Sequence, residues 1–136
     1  MRWRFAVFLL ASLPTHIVGA AEPVDNFRGD WLVARINGEA PVSPRLVTLR
    51  IAADGRIAGH APCNIYRAHY RLSEGRVDFT PGMTTRMFCG PEIMRQEQVF
   101  LSLFSGGATW RVTGAGLTLE GDNGVSIEAR RAEKRR

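Results

Sequence analysis

Lysine is almost missing from this chain: of its 18 basic residues only Lys134 is a lysine. Thiols are nearly as scarce, with Cys63 and Cys89 the only two among 136 residues. Their separation is not the paired C-x-x-C spacing of a zinc site. No G-x-S-x-G elbow raises a serine nucleophile, and Ser43, Ser73, Ser102, Ser105 and Ser126 have no recognisable base beside them. Long hydrophobic runs are also absent. The most apolar stretch, residues 5–13 (FAVFLLASL), covers nine positions, too few to cross a bilayer as a helix. No internal repeat or linker interrupts the rest, so the length allows one domain.

That stretch keeps the company of a secretory leader. Arg2 and Arg4 give a positive start, Pro14 disrupts the helix, and Val18-Gly19-Ala20 offers small or modest residues for cleavage. Residues 1–20 therefore read as a signal peptide, removed after Ala20 or Ala21, and residues 21–129 as the exported domain. No cysteine stands near the junction to carry a lipid anchor, so a soluble periplasmic protein is expected. Residues 130–136 read as a basic, solvated tail able to make weak contact with an anionic membrane surface. Between leader and tail, residues 21–128 hold eleven arginines and twelve acids. A fold so close to neutral has no nucleic-acid footprint.

Glycine turns punctuate short β-type segments. Residues 31–36 end at Asn37-Gly38. Residues 46–51 alternate, with Val47, Leu49 and Ile51 against Thr48 and Arg50, and Asp54-Gly55 turns the chain into 56–59. Segments 66–72 and 76–79 flank Ser73-Glu74-Gly75, and 109–113, 117–120 and 125–129 follow at similar spacing. Such short connections favour an antiparallel meander or small barrel, because parallel pairing needs long crossovers. Residues 91–104 (PEIMRQEQVFLSLF) break the pattern. Pro91 suits a first helical position, Glu92 the first turn and Gly106-Gly107 the stop, while Ile93, Phe100 and Phe104 share a side with Leu103 in support. The expected class is α+β: one helix packed across the sheet, plugging or covering an open end. Trp31, Trp110, Phe79, Phe100, Phe104 and the strand aliphatics form the candidate core.

An even pair of cysteines in an exported domain reads as a disulfide, tying the loop after the first hairpin to the residue ahead of the helix. The alternatives are two buried thiols that never meet, or a zinc site completed by His60 and His69. A strand would send His60 and Cys63 to opposite faces, which weighs against metal. Glu97 falls on the apolar stripe of the helix, between Ile93 and Phe100, where a carboxylate needs a partner. Arg86 or a backbone amide near Asn64 is the expected one. An internal polar clasp is favoured over a catalytic acid, since one acid makes no dyad.

Residues 59–70 (GHAPCNIYRAHY), 84–89 (TTRMFC) and the helical segment 91–104 together resemble the META domain family, which includes heat-shock proteins. The combination of Cys-Asn with T-R-M-x-C is the specific part. Trp31, Gly59, Cys63, Asn64, Tyr66, Tyr70, Thr85, Arg86, Met87, Cys89, Glu97 and Phe100 fill the pattern's places. Ala61-Pro62 departs from it, where small residues, often glycine, are usual. The resemblance covers residues 27–129. It implies a curved antiparallel sheet or incomplete small β-barrel with one helix packed against it, an association with envelope stress, and no established enzyme activity or cofactor.

The expectation is a monomeric, non-enzymatic periplasmic protein that binds an envelope protein or a lipid-like apolar ligand at the helix-covered mouth of the sheet. A secreted inhibitor of a hydrolase, lysozyme or a protease, is the alternative, with residues 41–44 (PVSP) as its rigid loop. An enzyme ranks third, for want of a convergent acid, base and nucleophile.

Overall fold

The computed structural model describes residues 23–133. The leader, its cleavage sites after Ala20 and Ala21, and residues 134–136 of the tail lie outside the described residues. After a short 3₁₀ turn (Val24–Asn26) the chain forms β1 (Gly29–Ile36), β2 (Thr48–Ile51), β3 (Arg56–His60), β4 (Ile65–Ser73) and β5 (Arg76–Thr84). Helix α1 (Pro91–Ser102) and a second 3₁₀ turn (Leu103–Ser105) lead into β6 (Gly107–Thr113), β7 (Gly116–Gly121) and β8 (Ser126–Arg131). Each strand pairs antiparallel with the next, and β8 returns to β1.

The barrel expected to be incomplete is therefore closed. The reason lies in β8, which extends two residues beyond the expected end of the domain: Arg130 pairs with Leu32 and Arg131 with Trp31, completing the seam. Closure leaves no free sheet edge at that seam. Buried side chains alternate with outward ones along the strands: Leu49 and Ile51, Val77 and Phe79, Ala108, Trp110 and Val112, Leu117 and Leu119, Ile127 and Ala129 all point in. Eight strands enclose just enough room for such side chains, so the interior is a packed core.

Both ends are stoppered with aromatic rings. At one end Phe27, fully buried, places its ring 5.5 Å from Tyr70 and 5.2 Å from Trp110, measured between centroids. Trp31 donates its indole N–H to the Phe27 carbonyl at 3.0 Å. The Arg131 guanidinium lies 3.9 Å from the Trp31 ring centroid and donates to the carbonyls of Arg28 and Asn26. What reads as the start of a solvated tail is thus a strand end that fastens residues 26–28 ahead of β1.

The opposite end receives the helix. Regular α-helix stops at Ser102, two residues before the expected end, and Leu103–Ser105 tighten into a 3₁₀ turn ahead of Gly106-Gly107. Phe104 stacks on Tyr66 at 4.9 Å and meets Phe79 and Phe100 edge-on at 5.2 and 5.6 Å. The five aromatics expected in the core are all buried. The helix also pins the β1–β2 connection, because Gln96 accepts from the Val42 N–H at 2.9 Å and donates to the Ala40 carbonyl at 3.1 Å.

Gly59 shows how closely this end is fitted. It stands opposite Tyr66 in the β3–β4 register, and a Cβ on it would lie 2.3 Å from the Thr48 carbonyl oxygen. The Tyr66 hydroxyl donates to that same carbonyl at 2.8 Å. Gly59→Ala is expected to cost about 1–3 kcal/mol through forced separation of β2 and β3. A urea titration should show a lower midpoint at unchanged slope; an unaltered midpoint would contradict the close approach.

Candidate functional site

The β3–β4 connection is buried from Ala61 to Asn64, and Asn64 is its hub. The Asn64 side-chain carbonyl accepts from the Met87 N–H at 2.6 Å and from the Thr85 hydroxyl at 2.9 Å. Its amide nitrogen donates to Glu97 Oε2 at 2.6 Å and to the Met87 carbonyl at 3.2 Å. The backbone N–H groups of Asn64 and Cys63 both donate to Glu97 Oε1, at 2.6 and 2.9 Å. Thr85 pairs with Ile65 in both directions, accepting from its N–H and donating to its carbonyl, each at 3.0 Å.

Glu97, 3% exposed, is therefore held by three N–H donors and by no cation among the described residues. A buried carboxylate needs such donors, and each of its oxygens has at least one. The backbone amide near Asn64 is its partner. Arg86, the other residue expected to pair with it, is exposed and makes no bond to it.

Cys63 and Cys89 form a disulfide, with Cα atoms 5.8 Å apart. The bond takes both sulfurs out of the alternative zinc set. His69 is also carried away, lying opposite Arg56 in the β3–β4 register. The disulfide, the Asn64 fork and the Glu97 carboxylate together hold residues 85–90 against the root of α1.

This loop turns apolar side chains outward. Met83 is 64% exposed, Met87 45%, Phe88 77%, and Ile65 across the strand pair 45%. Asn64 engages only the main chain of Met87, leaving its side chain free. The extra residue of a β-bulge sits here in β5, where Tyr66 pairs with Thr84 but Ala68 with Pro81. Gly82 occupies the bulge because a Cβ would stand 2.5 Å from the Arg67 carbonyl. Beside it is a cup of about 430 Å³ bordered by Asn64, Thr85, Arg86, Met87, Met94 and Glu97.

Tyr66 links the clamp to the core. Its ring lies 5.4 Å from Phe100, and burial pushes its phenol well above the ordinary value near 10. The folded state thus holds this proton more tightly than the unfolded state does. Stability is fully present below the unfolded value and is lost as pH rises past it towards the folded value. Alkaline denaturation is expected to begin near pH ~10, with the Tyr66 phenolate absorbance appearing together with unfolding. Tyr66→Phe should cost about 1 kcal/mol at neutral pH through the lost Thr48 bond, and should flatten the alkaline decline. Formation of the Tyr66 phenolate in protein that remains folded would contradict this.

Of the residues singled out from sequence, Gly59, Cys63, Asn64, Tyr66, Thr85, Met87, Cys89, Glu97 and Phe100 gather at the helix end. Tyr70 does not: its hydroxyl donates to the Ala52 carbonyl and its ring meets Phe27 at the opposite end. Sequence reasoning passed over Gln96, which is buried at the polar tether to residues 40–42, and the outward display of Met83 and Phe88.

A meander barrel stoppered by one helix, with a Cys-Asn loop clamped to a helical glutamate, defines a narrow structural class. The META domain model matches residues 24–134, and the chain belongs to the META domain family. An NMR structure of a protein from Burkholderia xenovorans is similar over 98% of this chain and 100% of that one, with a TM-score of 0.64 and 19% identity. A second NMR structure, 20% identical, covers 76% of this chain and 88% of its own with a TM-score of 0.64. At these identities the likeness is one of fold. No curated protein matches the chain significantly. No helix among the described residues is long and apolar enough to cross a membrane.

Proposed function

We propose that the protein is an exported, non-enzymatic periplasmic domain, associated with envelope stress as its family suggests, that docks an envelope component at the rim of the helix-capped mouth. The observation that carries this is the display of Met87 and Phe88 on a loop locked by a disulfide and a buried polar fork, with Met83 exposed beside it at the end of β5. An exposed apolar cluster on a rigid support marks an interaction site. The mouth itself is filled by Tyr66, Phe79, Phe100 and Phe104, which moves binding from the interior to the rim. Export is supported by the leader pattern and by the disulfide, a bond that persists outside the reducing cytosol. A positioning role for the polar residues is supported by Asn64 and Glu97 being engaged with each other and with main chain.

A photoreactive residue at position 88 should capture an envelope component in cells, whereas one at position 111, on the outer wall of β6, should not. Retention in the cytoplasm or equal capture at both positions would contradict the reading. Turnover abolished by Glu97→Gln at unchanged stability would replace it with an enzyme.

A second reading, inhibition of a hydrolase, is favoured by one observation. Gln96 grips the chain on both sides of Pro41, while Val42 stays 42% exposed. Tight inhibition of lysozyme or a protease, lost in Val42→Asp, is the result it requires.

A further inference from the structure

We infer that the component docked at this rim is the surface of an anionic phospholipid leaflet, entered by Phe88 and Met83 and held by the arginines around them; this deepens the docking role proposed above and rests on it. The apolar part is gathered in one stretch of the fold. Met83, Met87 and Phe88 belong to a single segment, and Ile65 is joined to that segment through Thr85. The charge around them has one dominant sign. From residue 83 to residue 95 the chain carries Arg86 and Arg95 against a single acid, Glu92.

Arg67 adds to this from the next strand. It follows Ile65 on the outward side of β4 and its carbonyl backs onto Gly82. Across the outer wall the register sets Asp30 beside Arg50, Arg50 beside Ala58 and Ala58 beside Arg67. Arg50 is paired with Asp30 at 3.3 Å, whereas Arg67, Arg86 and Arg95 have no ion pair among the described residues. A groove of about 400 Å³ lies over Ala58 and Gly59, bounded by Arg50, Arg67, His60 and Ile65.

Unpaired guanidinium groups flanking exposed apolar side chains match the two layers of a leaflet. Acyl chains take up Phe88 and the methionines, and headgroup phosphates take up the arginines. Rigidity matters because a loop already ordered by the clamp loses little entropy on inserting.

The test is vesicle flotation with the chain from residue 21 onward, which contains the whole barrel and its disulfide. Vesicles of phosphatidylglycerol mixed with phosphatidylcholine are compared with phosphatidylcholine alone. Binding to the anionic vesicles is expected, weakening as salt is raised. Phe88→Ser with Met83→Ser should lower it at least about tenfold. Arg67→Gln with Arg86→Gln should lower it about tenfold or more, while a chain with Lys134, Arg135 and Arg136 changed to Gln should retain most of it. All four side chains changed in the rim variants are exposed, so unchanged thermal unfolding serves as the folding control.

Absence of flotation, equal binding to neutral vesicles, or loss confined to the tail variant would overturn the inference. So would a dimer in solution that Phe88→Ser dissociates, since a second copy would then occupy the rim. If position 88 captures an envelope protein in cells while vesicles fail, the lipid inference falls and the docking role stands. If both fail, both fall.

Discussion

Asn64→Ala is expected to remove about 3–5 kcal/mol of stability, the largest effect of any single substitution at the site. The side chain makes four hydrogen bonds, a buried one to Glu97 and three part-buried ones to Thr85 and, twice, to Met87. Truncation leaves the Met87 N–H, the Met87 carbonyl and Glu97 Oε2 short of partners. Each buried group left unsatisfied costs about 1–3 kcal/mol, and partial water entry recovers some of it. Against a total of about 5–15 kcal/mol for a domain of this size, such a loss is severe. Asn64→Asp separates shape from chemistry. It keeps the outline but sets an acceptor against Glu97 Oε2, now 2.6 Å from an N–H donor. At neutral pH it should therefore be at least as damaging as alanine. Urea titration of both variants measures this, and losses below about 1 kcal/mol would contradict the role of Asn64 as hub.

Opening the disulfide is expected to cost about 3–4 kcal/mol on the chain-entropy account, for a sequence separation of 26. Cys63→Ser and Cys89→Ser should lower the melting temperature by similar amounts. The double change should add little, because either one removes the same bond. The two sulfurs differ in setting: Cys63 is buried, while Cys89 is exposed. Reductant can therefore reach the bond from the Cys89 side in folded protein. Additive losses in the double variant would mean that each thiol contributes packing of its own rather than a shared link.

Much of the strand order was legible from glycine turns and alternation, because short antiparallel connections leave local marks. Closure was not. The β1–β8 seam joins Trp31 to Arg131 across a hundred positions, and an arginine at the chain's end reads as solvated charge unless its aromatic neighbour is known. Phe27 escaped for a related reason: it lies just outside β1, and its burial depends on Tyr70 and Trp110 arriving from distant strands. The polar site was partly legible. A carboxylate on the apolar stripe of a helix announces a buried partner, and the Asn64 loop was one of two candidates. The choice between Asn64 and Arg86 depended on loop geometry, since a short connection with buried N–H groups can present two donors at once, whereas Arg86 sits exposed in a different segment, after β5. The outward display of Phe88 was hidden by its neighbours, because apolar residues beside a disulfide usually belong to a core.

Native-state hydrogen exchange tests the clamp most directly. The amide protons of Cys63, Asn64 and Met87 are donated to Glu97 or to the Asn64 side chain, outside any strand ladder. If the clamp holds residues 85–90 rigidly, these three should exchange as slowly as amides in β4 and β7, and should speed up together in Asn64→Ala. Exchange at the rate of an open loop in the intact, oxidised protein would show that the rim is mobile, and the rigid docking surface would have no basis.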